Sequence, residues 1–296
     1  MLEKVLRATV GVHSHIPATH VSTAIGLGTD RRGTGTIISS DGLILTVHYL
    51  LLGAQNVIVT LPDGEQHEAK IVGKDYTTGL GVLKIDRERL PFVEVVSSDS
   101  CVIGQEAFTV SSMGGEKRCA DCGIITYLGP FDAVWEFVLD RCVCVTASSL
   151  NIGMSGGPIC NARSQVIGVS YLNFADLSRA ILGVPGDNVL TVRDELTKFG
   201  RRVTAAPRAW LGLLSYTLRE HVVVAGVMPG GPGEKAGLQQ GDLLLEINGN
   251  EVNDRRLLYE ALRNHNPGEN IQLKVLRNSR VFQLEVPSIR AEDYFA

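Results

Sequence analysis

The stretch Asn151-Ile152-Gly153-Met154-Ser155-Gly156-Gly157-Pro158-Ile159-Cys160-Asn161 places a serine inside Gly-x-Ser-Gly-Gly-Pro. Glycines on both sides let the backbone turn sharply, so the amides of Gly153 and Ser155 can converge on one oxyanion. That is the equipment of an acyl-transfer nucleophile. Pro158 opens the next segment, and Val166-Ile167-Gly168-Val169-Ser170 reads as a strand walling a pocket. The plain alternative is a Gly-rich hairpin between two strands. A nucleophile elbow of the lipase kind fits poorly, because its serine precedes a helix and no helical period follows here. Five residues matching in order over six positions favour the nucleophile.

Working outward, residues 4 to 185 read as short β-branched strands separated by turn residues. Examples are Thr36-Ile37-Ile38-Ser39, Leu43-Ile44-Leu45-Thr46, Asn56-Val57-Ile58-Val59-Thr60-Leu61 and Ala107-Phe108-Thr109-Val110. Turns sit at Ser40-Asp41-Gly42, Pro62-Asp63-Gly64 and Met113-Gly114-Gly115. Many strands at this spacing predict a sandwich or barrels. A helix is expected near 189–199, where Val189, Leu190, Val192, Leu196 and Phe199 make one apolar face and Gly200 is a stop signal. The polar, basic run 201–207 is then the natural linker.

Composition excludes several classes. A net charge of -4 and a pI of about 6.0 give no surface for nucleic acid. No run of eighteen apolar residues exists, so no membrane span is expected. Residues 1–7 lack the apolar core of a signal peptide, which predicts a cytoplasmic protein, or a periplasmic one if the N-terminus was trimmed. Six cysteines lie at 101, 119, 122, 142, 144 and 160. Cys119, Cys122, Cys142 and Cys144 offer four thiolates to zinc or to disulfides; reduced, mostly buried thiols are the plainer reading. His13 and His15 share one face of the first strand, where exposed histidines are the ordinary case.

The pattern changes from Ala209. Strand Val222-Val223-Val224, turn Pro229-Gly230-Gly231-Pro232, Ala236-Gly237-Leu238-Gln239-Gln240-Gly241-Asp242, and Leu243-Leu244-Leu245-Glu246-Ile247-Asn248-Gly249 follow one another. A helix around Asp254–Asn264 and strands at 271–275 and 281–286 complete it. This stretch resembles a PDZ domain of the kind attached to HtrA/Deg proteases. Such a domain adds a peptide strand at a sheet edge and caps its terminal carboxylate with loop amides, here Leu211-Gly212-Leu213. Leu258 and Leu262, four apart on the helix, line the groove or serve ordinary core packing.

The first domain then resembles the HtrA/Deg trypsin-like domain, a chymotrypsin-like double β-barrel. Its landmarks are Gly33-Thr34-Gly35-Thr36-Ile37-Ile38, Asp41-Gly42-Leu43-Ile44-Leu45-Thr46, Leu80-Gly81-Val82-Leu83-Lys84-Ile85 and the serine loop. In the family the catalytic histidine stands three residues after the threonine and four before a Gly-Ala pair. Both counts, from Thr46 and from Gly53-Ala54, land on Tyr49. The catalytic aspartate directly precedes the Leu-x-Val-Leu-Lys strand, and that position is Gly79. Asp75, four residues away, matches a different landmark. The resemblance thus implies a retained nucleophile position, Ser155, with Tyr49 and Gly79 in place of its base and orienter. Tyrosine, with a pKa of about 10, is a poor proton acceptor at neutral pH. An alternative base is His48, one residue early.

The expected organisation is mainly β: a trypsin-like domain at 1–200, a linker at 201–207 and an α+β PDZ domain at 208–290. The expected function is a catalytically impaired HtrA/Deg-like protein that binds peptides or misfolded chains, with C-termini at the PDZ groove. Active serine endopeptidase, using Ser155 with His48, and a thiol or zinc sensor are the alternatives. No cofactor and no metal are expected. An oligomer stays open. The family's trimers often pack N-terminal aromatics, and no Phe, Trp or Tyr precedes Tyr49, which argues against a trimer of that kind.

Overall fold

Alternating strands and tight turns carry through most of the chain, with helices confined to a few segments. The computed structural model describes residues 2–112, 115, 117–147, 154–174, 179–206 and 208–296. Contacts divide the chain into two units, Met1–Pro130 with Leu139–Val203, and Phe131–Val138 with Thr204–Ala296.

The first unit opens in a helix, α1 (Leu2–Ala8), where the sequence reading has strand from residue 4. Glu3 and Arg7 pair one turn apart at 2.6 Å while Val5 and Ala8 are buried, so local pairing and packing both favour the helix. Seven strands follow: β1 (Thr9–His15), β2 (Asp30–Ile37), β3 (Leu43–Val47), β4 (Asn56–Thr60), β5 (Gln66–Glu68), β6 (Lys70–Lys74) and β7 (Leu80–Lys84). They form one sheet in the order β5-β4-β1-β2-β3-β7-β6. One face carries Val10, Val12, Ile37, Ile44 and Val59, and Val47 and Val82 lie on the other; all seven are fully buried.

A second sheet closes into a barrel in the order β10-β13-β12-β11-β8-β9. Its strands are β8 (Glu106–Ser111), β9 (Cys119–Ala133), β10 (Phe137–Ala147), β11 (Pro158–Cys160), β12 (Val166–Phe174) and β13 (Ala180–Pro185). The short β11 lies between β8 and β12, which sets the serine turn just before it against the barrel wall. Closure satisfies the strand edges, which a barrel does without outside partners. Helix α2 (Gly186–Phe199) follows Pro185 and ends at Gly200, where φ is 73°. It buries Val189, Val192 and Leu196, and the Leu196 carbonyl lies so near Gly73 that a Cβ there would sit 2.7 Å away.

In the second unit, β14 (Leu213–Leu218), β15 (His221–Val227), β16 (Leu243–Ile247), β18 (Asn270–Arg277) and β19 (Arg280–Pro287) form a sheet in that order, with β17 (Asn250–Glu251) paired to β16. Strand β14 is therefore an edge. Helices α3 (Pro232–Lys235), α4 (Arg255–Arg263) and α5 (Ala291–Tyr294) complete the unit. Asp254 caps α4 by accepting a bond from the Arg256 amide at 2.7 Å. The Gly-Asp and Ile-Asn-Gly motifs have structural work. Asp242 is fully buried and holds Arg277 with both oxygens at 2.6 and 2.7 Å, while Asn248 Oδ1 accepts from the Gln272 amide at 2.7 Å.

Candidate functional site

Ser155 sits in the turn ahead of β11, pinned to its surroundings by the backbone. Its carbonyl accepts from the Thr34 amide at 2.8 Å, and the next amide, Gly156, donates to the Ser170 carbonyl at 2.7 Å. The Ser155 hydroxyl lies 3.5 Å from the Tyr171 carbonyl. Tyr49, on the short 3-10 turn after β3, donates its own hydroxyl to that carbonyl at 3.0 Å. The two hydroxyls thus converge on one carbonyl, and burial pushes the Tyr49 phenol up to about 12, with the neighbouring Ser155 hydroxyl lowering it by less. The hydroxyl of Ser155 therefore faces a neutral phenol whose proton is already engaged. A phenol with that pKa is ionised in only about one molecule in 100,000 at pH 7.

The turn carrying Tyr49 is held by Arg31, a residue the sequence reading passed over. Arg31 is 4% exposed, and its guanidinium donates to the carbonyls of Tyr49, Leu52 and Gly28 and to the Ser22 hydroxyl. Period-two alternation along β2 contains the signal, since Arg31 shares the inward face with Gly33 and Gly35.

Gly79 is positioned across from this turn with φ at +75°. A Cβ built there would meet Tyr171 Cε2 at 2.3 Å and Cζ at 2.7 Å, so the fully buried Tyr171 ring already fills that space. The Gly79 carbonyl accepts from the His48 amide at 2.8 Å and from His48 Nδ1 at 3.1 Å. A carbonyl can only accept, so Nδ1 carries the hydrogen. The His48 ring stacks parallel to Tyr171 at 6.2 Å and meets Tyr76 edge-on at 5.4 Å. Burial lowers its pKa to about 4. Structure thus brings Tyr49 to Ser155 and commits His48 to the Gly79 carbonyl within an aromatic cluster. Asp75 is occupied elsewhere: its oxygens accept from the Thr77 amide and the Thr78 hydroxyl, closing its own turn.

Gly153, the other half of the expected oxyanion hole, lies outside the described residues. The glycines that follow Ser155 have a packing role. A Cβ on Gly156 would lie 2.1 Å from the Thr34 carbonyl, and one on Gly157 would lie 2.4 Å from the Val110 carbonyl. Cys142 and Cys144 approach each other at 3.7 Å between sulfurs, and all six cysteines are unpaired. Among the described residues, no group of three or more His, Cys, Asp or Glu is placed to hold a metal, so the four thiols of the sensor reading do not form a ligand set.

In the second unit the residues expected to line a peptide groove are buried core residues on or beside β14 and α4. Leu211, Leu213, Leu258 and Leu262 belong to one buried cluster, and Val138 packs in the same cluster. The amides of Leu213 and Leu211 donate to Glu136 Oε1 at 3.0 and 3.3 Å. Burial pushes the Glu136 carboxyl up to about 7, against the loop amides and the Arg208 guanidinium, which lower it. Nothing in the sequence around Glu136 marks it, because its partners lie some 75 residues on.

Fold and site together define a trypsin-like peptidase domain joined to a PDZ domain. The family models agree: a trypsin-like peptidase domain matches residues 33–169, and a PDZ domain matches residues 186–287. The chain is of the HtrA/DegP type. It is 32% identical over 270 residues to the "Probable periplasmic serine endoprotease DegP-like" of Chlamydia trachomatis, covering 86% of this chain and 53% of that protein. It is 29% identical over 262 residues to "Serine endoprotease DegS" of Haemophilus influenzae, covering 86% of this chain and 76% of that protein. Among solved structures, "HtrA-type protease AlgW with decapeptide" superposes with a TM-score of 0.59 at 25% identity, covering 98% of this chain and 97% of that one. The serine endoprotease from Yersinia pestis gives the same score and identity, covering 98% and 96%. The chain spans about half the length of the DegP-like relatives it matches.

Proposed function

We propose that this chain is a catalytically impaired HtrA-type protein that binds peptides or unfolded segments through its PDZ groove. One observation carries the impaired half: the side chain that meets the Ser155 hydroxyl at the Tyr171 carbonyl is the Tyr49 phenol, which donates its own proton there at 3.0 Å. Removing a triad member costs up to about a million-fold in turnover, and the remainder comes from the oxyanion hole and binding. Here base and orienter are both replaced. His48 does not supply the missing base, since its imidazole is buried, neutral and turned onto the Gly79 carbonyl. The binding half is supported by the assembled groove and by its loop amides, which in this chain already hold a carboxylate.

The test is proteolysis of unfolded casein by the purified chain beside its Ser155→Ala variant. Equal rates are expected. Cleavage that disappears in Ser155→Ala overturns the impaired reading, and its loss in His48→Ala would then assign the base. The compartment that goes with this reading is the periplasm named for the relatives, where the burial of Cys101, Cys142 and Cys160 shields those thiols from oxidants.

A further inference from the structure

We infer that the peptide groove of the second unit is closed by the chain's own segment Phe131–Val138, with the Glu136 carboxylate standing in for the terminal carboxylate of a ligand. The inference rests on the reading of this groove as a site for chain ends.

This segment, the turn between β9 and β10 with the strand ends beside it, makes a counterpart of each kind of contact a bound peptide uses. A peptide entering such a groove adds to the exposed edge strand, and here the Ser215 amide of β14 donates to the Val134 carbonyl at 2.8 Å. A terminal carboxylate is received by loop amides, and here Leu211 and Leu213 donate to Glu136 Oε1. An apolar side chain next to the carboxylate enters the pocket, and here Val138, 2% exposed, packs with Leu211, Leu213, Leu258 and Leu262. Helix α4 closes the other wall. Arg255 bonds the Asp132 carbonyl at 2.8 Å, Arg263 bonds the Val138 carbonyl at 3.1 Å, and the Tyr259 hydroxyl receives the Glu136 amide at 3.0 Å. Edge strand, carboxylate loop, pocket and helix are therefore all engaged by one segment of eight residues.

The physical consequence is competition. The segment is tethered, so it faces the groove at an effective concentration on the order of millimolar. A free peptide binds only the fraction of molecules whose groove is open, and its apparent affinity falls by that fraction. Removing the Glu136 carboxylate leaves the Leu211 and Leu213 amides without their partner when the segment is docked, which favours release. A peptide with its own carboxylate then restores those bonds.

The experiment uses the full chain and a fluorescein-labelled decapeptide ending in valine with a free carboxylate, read by fluorescence anisotropy. Glu136→Ala is expected to bind the probe at least about tenfold more tightly than the parent. A variant with residues 132–137 replaced by a Gly-Ser bridge should bind at least as tightly, and Glu136→Gln should fall between. Without probe, hydrogen exchange at the amides of residues 211–215 should be slow in the parent and faster in Glu136→Ala. A parent that binds as tightly as both variants overturns self-occupancy and leaves the peptide-binding reading intact. A bridge variant that is folded by circular dichroism yet binds no probe removes the peptide-binding reading, and the inference falls with it.

Discussion

The ring of Tyr171 stands where any side chain on Gly79 would have to go: a Cβ on Gly79 would lie 2.3 Å from Tyr171 Cε2. Tyr171 is 1% exposed, stacked on His48 and edge-on to Tyr49, so it has nowhere to move without repacking that cluster. The buried Tyr171 ring thus excludes any side chain at position 79. Three consequences are open to measurement.

Restoring the family's residues at 49 and 79 does not by itself rebuild a relay. The Tyr49→His, Gly79→Asp double variant should hydrolyse an activated ester within about twofold of the parent, because the new carboxylate collides with Tyr171. Adding Tyr171→Ser should raise the rate at least about tenfold, and Ser155→Ala in that background should abolish the gain. The backbone at Gly79, at φ +75°, adds about 1–2 kcal/mol of strain, which aspartate tolerates better than most residues. A double variant that already shows the gain would mean Tyr171 yields.

Gly156 is held by packing. Gly156 and Gly104 share a left-handed backbone, at φ +88° and +89°, but a Cβ on Gly104 meets nothing within 4 Å whereas one on Gly156 strikes Thr34 and Thr46. Gly104→Ala should cost only the backbone strain, about 1–2 kcal/mol. Gly156→Ala should cost more than about 3 kcal/mol or fail to fold. Urea unfolding of the pair separates the two terms, and equal losses would remove the packing account.

The buried His48 links stability to pH. Its pKa in the folded chain is about 4, below the ordinary value of 6.5, so the unfolded chain binds the extra proton between those values. Its contribution is complete above about pH 6.5 and is lost as pH falls through about 4. The loss should be on the order of 3 kcal/mol, read as a falling urea midpoint of the first unit between pH 7.5 and 4.5. His48→Phe, which keeps a ring against Tyr171, should flatten that slope. An unchanged slope would show that His48 is not the group responsible.

Much of this protein is legible in the order of its residues. Gly-x-Ser-Gly-Gly-Pro, the counts from Thr46 and Gly53 to Tyr49, and Ala-Gly-Leu-x-x-Gly-Asp followed by Ile-Asn-Gly are local patterns, and local patterns dictate turns, caps and strand starts. The helix around Asp254–Asn264 was readable for the same reason, through the Asp254 cap and the spacing of Leu258 and Leu262. The helix at Leu2–Ala8 was missed because its few apolar residues carry no clear period and its stability comes from what Val5 and Ala8 pack against. The rest depended on contacts between residues far apart in the chain. Tyr171 meets Gly79 across 92 positions, Arg31 reaches Tyr49 across 18, and Glu136 meets Leu211 across 75. Sequence alone singled out Ser155, Tyr49 and Gly79, by motif and by spacing. Only the folded chain decided that a tyrosine fills the space beside Gly79 and that a glutamate meets the Leu211 and Leu213 amides, because steric exclusion and desolvation act between side chains that a linear pattern cannot bring together.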